Sequence, residues 1–182
     1  MIETKKHLIM KRKTNLWVLL ASALLFAVSC DELADALNLD FDIGPYYVEF
    51  NLGPEDAGEF VESFDVIAHN IVQKIEDNGG SMDQLDMVKL KTVTLTIMNG
   101  EDNFDAFEYF EIYVKTPLMS EKKVGWLNTI PTGLTTLTPN LSTDNLKDYM
   151  QEGEITIVLK SQLNSNIVLT NVSADIEFTV NL

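Results

Sequence analysis

Acidic side chains are the most numerous groups in this 182-residue chain that could do chemistry. The sequence holds 28 Asp and Glu residues against two histidines and one cysteine. Two facing carboxylates can hydrolyse a glycan as an acid and base pair, so composition leaves a carboxylate-based hydrolase open. With so many acids some pair always looks suggestive, and spacing singles none of them out. We therefore predict that no residue of this chain is catalytic.

Histidine and cysteine provide even fewer candidates for catalysis or metal binding. His69 is the single histidine outside the first ten residues, and no Gly-x-Ser-x-Gly or similar pattern presents a serine to it. Zinc prefers nitrogen and sulfur ligands in sets of three or four, which this sequence does not supply. No glycine-rich phosphate loop is present either. We predict no cofactor, and we expect His69 to be a polar residue at a junction between a strand and a helix.

One short loop could attract a hard cation. The run Asn99-Gly-Glu-Asp-Asn-Phe-Asp105 offers oxygen ligands on Glu101, Asp102 and Asp105, as a calcium loop would. Its spacing does not match the EF-hand pattern, and turns rich in Asn, Asp and Gly are common between strands. We predict an ordinary hairpin loop and no metal, with calcium at these three residues as the weaker alternative.

A possible binding patch lies on the strand predicted over residues 104–115. Alternation places one set of side chains on the face opposite Phe110, Ile112 and Val114. That set is Phe107, Tyr109, Glu111 and Tyr113. Aromatic rings beside a carboxylate can stack on sugar rings or anchor a protein partner. The alternative is a strand buried on both faces, with its second face covered by a helix or by Trp126.

The elements that would position these residues are mostly strands. Val93, Leu95 and Ile97 alternate with threonines, which indicates a half-buried strand. Strands are predicted over 46–52, 59–68, 89–98, 104–115, 124–130, 133–138, 154–160 and 167–182, and short helices over 69–78 and 143–150. Many short strands without regular βαβ alternation predict an antiparallel β-sandwich with two short helices. An immunoglobulin-like or related Greek-key order is the first choice, and a jelly roll or curved half-barrel is the second.

The only cysteine ends an N-terminal segment with three recognisable parts. Met10-Lys-Arg-Lys-Thr-Asn15 is positively charged, residues 16–28 are apolar, and small Ser29 precedes Cys30. The apolar run is too short to span a membrane and is typical of a signal peptide. This order resembles the lipobox of bacterial lipoproteins, although Ala27 replaces the usual leucine and Val28 the usual small residue. Met10 is a better start than Met1, because residues 1–9 add nothing that a signal peptide needs.

The resemblance implies that residues 1–29 are removed and that Cys30 is acylated as the mature N-terminus. Asp31 and Glu32 would then be sorting residues, and the acyl chains would anchor the protein in the outer membrane. We expect it to be exposed on the cell surface, with a periplasm-facing anchor as the alternative. Residues 30–44 are predicted to be an acidic tether and residues 45–182 a single domain, which resembles the small β-sandwich lipoproteins of bacterial envelopes. An ordinary cleaved signal or an uncleaved anchor remains the competing interpretation.

The charge of the chain that remains after removal of residues 1–29 excludes several classes of partner. The remaining chain keeps 8 of 13 basic residues, 27 of 28 acids and no arginine, a formal charge of −19. Nucleic-acid binding requires Lys and Arg to neutralise phosphates and is not expected. A second cysteine for a disulfide is also lacking. We predict a non-enzymatic binding or assembly module with a protein or glycan partner. A carrier of an apolar ligand between the sheets is the alternative, ahead of the hydrolase.

Overall fold

The computed structural model describes residues 40–67, 69–152 and 154–182. The strands are β1 (Asp40–Leu52), β2 (Gly58–Ile67), β3 (Met87–Asn99), β4 (Phe107–Lys115), β5 (Lys122–Leu127), β6 (Thr136–Leu137), β7 (Asn140–Leu141), β8 (Glu154–Leu163) and β9 (Thr170–Asn181). The helices are α1 (His69–Asp77) and α2 (Lys147–Gln151). The predicted signal peptide, Cys30, Asp31 and Glu32 lie outside the described residues, so their roles stay predictions.

Two antiparallel sheets form the domain, which confirms the predicted β-sandwich. One sheet has the strand order β1-β9-β3-β6 and the other the order β2-β8-β4-β5-β7. In an immunoglobulin order the first two strands are neighbours in one sheet. Here β1, β2, β3 and β4 alternate between the sheets, and β1 pairs with the last strand. Apart from the added short β7, this is the order of a jelly roll, the second choice from the sequence.

One hydrophobic core fills the space between the sheets. β9 contributes Val172, Ala174, Ile176, Phe178 and Val180, all at 2% exposure or less, as alternation in the sequence predicts. Side chains of β4 and β8 face them from the other sheet within the same core cluster. A gap between the sheets, lined by Phe50, Leu95, Ile112, Ile157 and their neighbours, has no room for a water molecule.

The first strand begins earlier than predicted. Asp40 pairs with Asn181 and Ile43 with Phe178, and Ile43 is only 2% exposed. The predicted tether is therefore wrong for residues 40–44, which belong to the sandwich. The strand pattern was missed because Gly44-Pro45 interrupts it, and the register shifts between Ile43 and Tyr46. Pairing with β9 holds both halves of β1 in one sheet across this irregularity.

The two helices are short and lie beside the sheets. α1 was predicted from its spacing, and Ile71 and Ile75 are fully buried. α2 starts later than predicted, because the Asn145 side chain accepts a hydrogen bond from the Val88 backbone N–H at 3.1 Å and donates to the Asp86 carbonyl at 3.0 Å. These contacts fix the chain ahead of the helix to β3. Within the described part of the chain, neither helix has the length and apolarity needed to cross a membrane.

Candidate binding surface

Phe107 does not belong to the predicted patch. Its side chain is 3% exposed, and its ring lies 5.7 Å from that of Phe104 and 4.9 Å from that of Phe110, between centroids. Phe107 pairs with Leu163 and Tyr109 with the adjacent Gln162, so Glu108 is an extra residue in β4. This β-bulge changes which side chains point inward and turns Phe107 into the core. The prediction for Phe107 was wrong because simple alternation cannot reveal a bulge.

The other three predicted patch residues share the outer face of the five-stranded sheet. Tyr109, Glu111 and Tyr113 are half-buried and alternate with fully buried residues of β4. Glu111 pairs with Lys160 of β8 on one side and with Trp126 of β5 on the other. Residues directly opposite each other in a sheet point to the same face. We call this surface, formed by Tyr109, Glu111, Tyr113, Lys123, Trp126 and Lys160, the outer patch.

Glu111 is the centre of the polar contacts on the outer patch. Lys123 Nζ donates to Glu111 Oε1 at 2.7 Å, and the Tyr113 hydroxyl donates to Oε2 at 2.6 Å. The hydrogen bond from Lys123, followed by the one from Tyr113, holds the pKa of Glu111 below its usual value. The carboxylate is therefore ionised at neutral pH and fixed in orientation by two neighbours.

Lys160 occupies one side of the Tyr113 ring. Its Nζ lies 4.3 Å from the ring centroid and donates to Glu121 Oε2 at 2.5 Å. This cation–π contact and the ion pair hold Tyr113 as a rigid part of the surface. Val158, opposite Tyr113 on β8, is 1% exposed although it lies outside the core cluster. Tyr109, Tyr113 and Trp126 are all half-buried on the outer patch.

The Tyr113 phenol should titrate above the usual range of a tyrosine. Its hydrogen bond to Glu111, followed by burial, raises the pKa of Tyr113 to about 12. Since an unfolded tyrosine has a pKa of about 10, this interaction stabilises the fold fully below pH ~10 and is lost as the pH rises from ~10 to ~12. We expect Glu111→Gln to lower the pKa of Tyr113 towards 10.

Ultraviolet difference titration of each protein against its own Tyr113→Phe partner isolates this phenol from the other tyrosines. Glu108→Gln is the matched control, because Glu108 is exposed on the same strand and makes no hydrogen bond to Tyr113. An unchanged Tyr113 pKa in Glu111→Gln would contradict the hydrogen bond.

The three calcium candidates do not converge on one point. Glu101 Oε1 accepts a hydrogen bond from the Val168 backbone N–H at 3.0 Å, and Asp105 Oδ1 accepts one from Gly133 at 2.6 Å. These carboxylates fasten the loop to two other loops, while Asp102 is exposed. Among the residues that the structure describes, no three Asp, Glu, His or Cys side chains form a group that could hold a metal.

Sequence reasoning missed Lys123 and Lys160. Neither stands near Glu111 in sequence, and each reaches it or its neighbours only because β5 and β8 flank β4. Trp126 was considered only as a possible cover, yet it lies directly opposite Glu111. The lysine positions gave a partial signal, because four of the eight lysines after Cys30 fall on β4, β5 and β8. β4 and β5 follow each other along the chain, whereas β8 lies beside β4 only in the folded sheet.

Comparison with known proteins places the chain in no family. No protein-family model matches it, and a search of the curated proteins found none with significant similarity.

Proposed function

We propose that this protein is a lipid-anchored envelope lipoprotein, exposed on the bacterial cell surface, and a non-enzymatic module that binds a neutral glycan. The anchor follows from the resemblance of residues 10–30 to a lipoprotein signal. The observation that carries the binding part is the arrangement of aromatic rings around a fixed, charge-balanced polar centre on the outer patch. Jelly rolls occur in lectin domains, but one fold hosts many functions, so that analogy adds little.

Charge on the outer patch favours an uncharged ligand. Glu111 is paired with Lys123 at 2.7 Å and Glu121 with Lys160 at 2.5 Å, so the two ion pairs cancel. The chain as a whole is strongly acidic, which repels polyanions at longer range. Beyond these pairs, Glu59 and Glu108 add negative charge beside Tyr109, so the surface suits a ligand that brings hydroxyl groups and no negative charge.

Hydrogen-bonding capacity also favours a glycan over a protein. Each carboxylate oxygen can accept two hydrogen bonds, so Glu111 keeps acceptor capacity after those from Lys123 and Tyr113. The ammonium of Lys123 keeps donors as well. A protein partner would have to remove these charges from water at considerable cost, whereas a sugar can replace the water and leave the surface wet. Tyr109 and Trp126 would supply the stacking rings.

The two other functions have less support. A carrier would need a cavity between the sheets, and the gap described there has no room for a water molecule. A hydrolase would need a carboxyl group with a raised pKa as its acid. Glu111, the carboxylate at the centre of the outer patch, has a lowered pKa because of Lys123 and Tyr113.

Affinity electrophoresis tests the glycan proposal. We expect the full chain to be retarded in native gels that contain at least one soluble neutral polysaccharide among a mixed-linkage β-glucan, a xyloglucan, a galactomannan and a mannan. Trp126→Ala should weaken polysaccharide binding about tenfold or more, because stacking of a sugar on one aromatic ring concentrates binding energy in that residue.

Tyr47→Ala is the matched control for Trp126→Ala. Tyr47 is 52% exposed on β1 in the opposite sheet, and its hydroxyl donates to its neighbour Glu49 at 2.9 Å. Tyr47→Ala should leave the retardation by polysaccharide unchanged, and melting curves should show that both variants fold. Absence of retardation by all four polysaccharides, or equal losses in the two variants, would rule the proposal out.

A further inference from the structure

A second surface lies at one end of the sandwich and carries exposed apolar side chains. Met98 is 55% exposed, Leu134 41%, Val168 55% and Leu169 57%. All four lie in or beside the connections that follow β3 and precede β6 and β9. Large exposed apolar residues that stand singly need no explanation, but four at one end form a candidate interaction site.

Backbone contacts bring the segments that carry these four residues to the same end of the four-stranded sheet. β9, β3 and β6 are adjacent in that order, and their ends meet here. Val168 N–H donates to Glu101 Oε1 at 3.0 Å, and the Ile97 N–H donates to the Thr135 carbonyl at 3.0 Å. The second contact extends the β3–β6 register, which brings Met98 opposite Leu134. Because adjacent strands lie about 4.8 Å apart, the set spans roughly 10 Å across three strands.

An acidic pocket adjoins the apolar residues. It has a volume of about 420 Å³ and is lined by Pro54, Glu55, Asp56, Asn166 and Ile167. The Asn166 side chain accepts a hydrogen bond from the Ala57 backbone N–H at 3.0 Å, which ties the β1–β2 connection to the β8–β9 connection. Ile167 is the residue before Val168, so pocket and apolar side chains share one loop.

This end of the domain is the one remote from the entry of the chain. β1 begins at Asp40, which pairs with Asn181, and ends at Leu52, which pairs with Thr170, next to Leu169. A 13-residue strand is about 40 Å long. We call the end at Leu52 and Thr170 the distal end.

We propose that the distal end docks a protein partner through a segment that carries apolar side chains next to Lys or Arg. The apolar residues would pack on Met98, Leu134, Val168 and Leu169, and a cationic side chain would enter the pocket beside Glu55 and Asp56. Charge complementarity selects this occupant over a membrane, because acids here repel anionic headgroups. No aromatic ring is among the four apolar residues, so a glycan has nothing to stack on.

Three fluorescent peptides of equal length test the proposal by anisotropy with the full chain at physiological salt. One alternates Lys and Leu, one alternates Lys and Ser, and one alternates Glu and Leu. We expect the Lys–Leu peptide to bind at least about tenfold more tightly than the other two, since both charge and apolar contact are required. The double variant Val168→Ser and Leu169→Ser should lose about tenfold in affinity for it.

Leu118→Ser is the matched control. Leu118 is 81% exposed in the β4–β5 connection, at the end opposite the distal end, and should not affect binding. Equal binding of the Lys–Ser peptide would reduce the effect to simple charge attraction and overturn the proposal. So would full affinity in the double variant, or sedimentation with vesicles of phosphatidylcholine and phosphatidylglycerol that the double variant loses, since the N-terminal segment is the same in both proteins. Trp126→Ala should leave peptide binding unchanged, which separates this proposal from the glycan one.

Discussion

Replacing Phe107 with alanine should destabilise the protein by about 3–5 kcal/mol, the range for a large aromatic removed from a core. Phe107 is 3% exposed and packs with Phe104 and Phe110 in a cluster of three rings. Tyr109→Ala should cost only about 1 kcal/mol, because Tyr109 is half-buried on the outer face and no core contact depends on it. The two residues stand two positions apart, so the contrast tests the bulge at Glu108.

Chemical denaturation of the two purified variants, followed by circular dichroism, measures this difference. A change in the midpoint without a change in the slope would show that the native state lost stability. Comparable losses for Phe107→Ala and Tyr109→Ala would mean that both side chains occupy similar environments. That result would contradict the register in which Phe107 pairs with Leu163 and Tyr109 with Gln162.

Cys30→Ser should abolish incorporation of an alkyne-tagged fatty acid completely in growing cells. The chain contains one cysteine, and a lipoprotein signal delivers its thiol to the acylating enzyme. Acyl chains bind membranes with about 0.8 kcal/mol per buried CH₂, so a protein without them should remain as uncleaved precursor or be shed. Ser29→Ala is the matched control, since it keeps a small residue before Cys30 and should be labelled like the wild type.

Fatty-acid labelling of Cys30→Ser, or the absence of labelling in the wild type, would refute the lipoprotein prediction. Protease added to intact cells tests the location separately from the anchor. Digestion of the wild type is expected for a surface protein, and weaker digestion of a variant with Asp31 and Glu32 replaced by alanine would indicate that these acids direct export. A wild type that resists external protease would mean that the anchor faces the periplasm.

The sequence by itself determined the layers of the fold. Inward residues of β9 and β3, such as Val93, Leu95 and Ile176, follow a period of two that any strand imposes on its own side chains. The same local rule placed Glu111 and Tyr113 on one face and found α1 through Ile71 and Ile75. A period is a property of a few consecutive residues, so no knowledge of the partner strand was needed.

Tertiary structure alone decided the rest. The bulge at Glu108 exists because β4 must align with β8, and that alignment moved Phe107 from the predicted patch into the core. Residues 40–43 became a strand because Asn181 and its neighbours, about 140 positions later, offered free backbone groups. Lys123 and Lys160 reach the centre of the outer patch for the same reason. Strand pairing, register and ion pairs depend on residues that are far apart in the sequence, so the local pattern of residues cannot predict them.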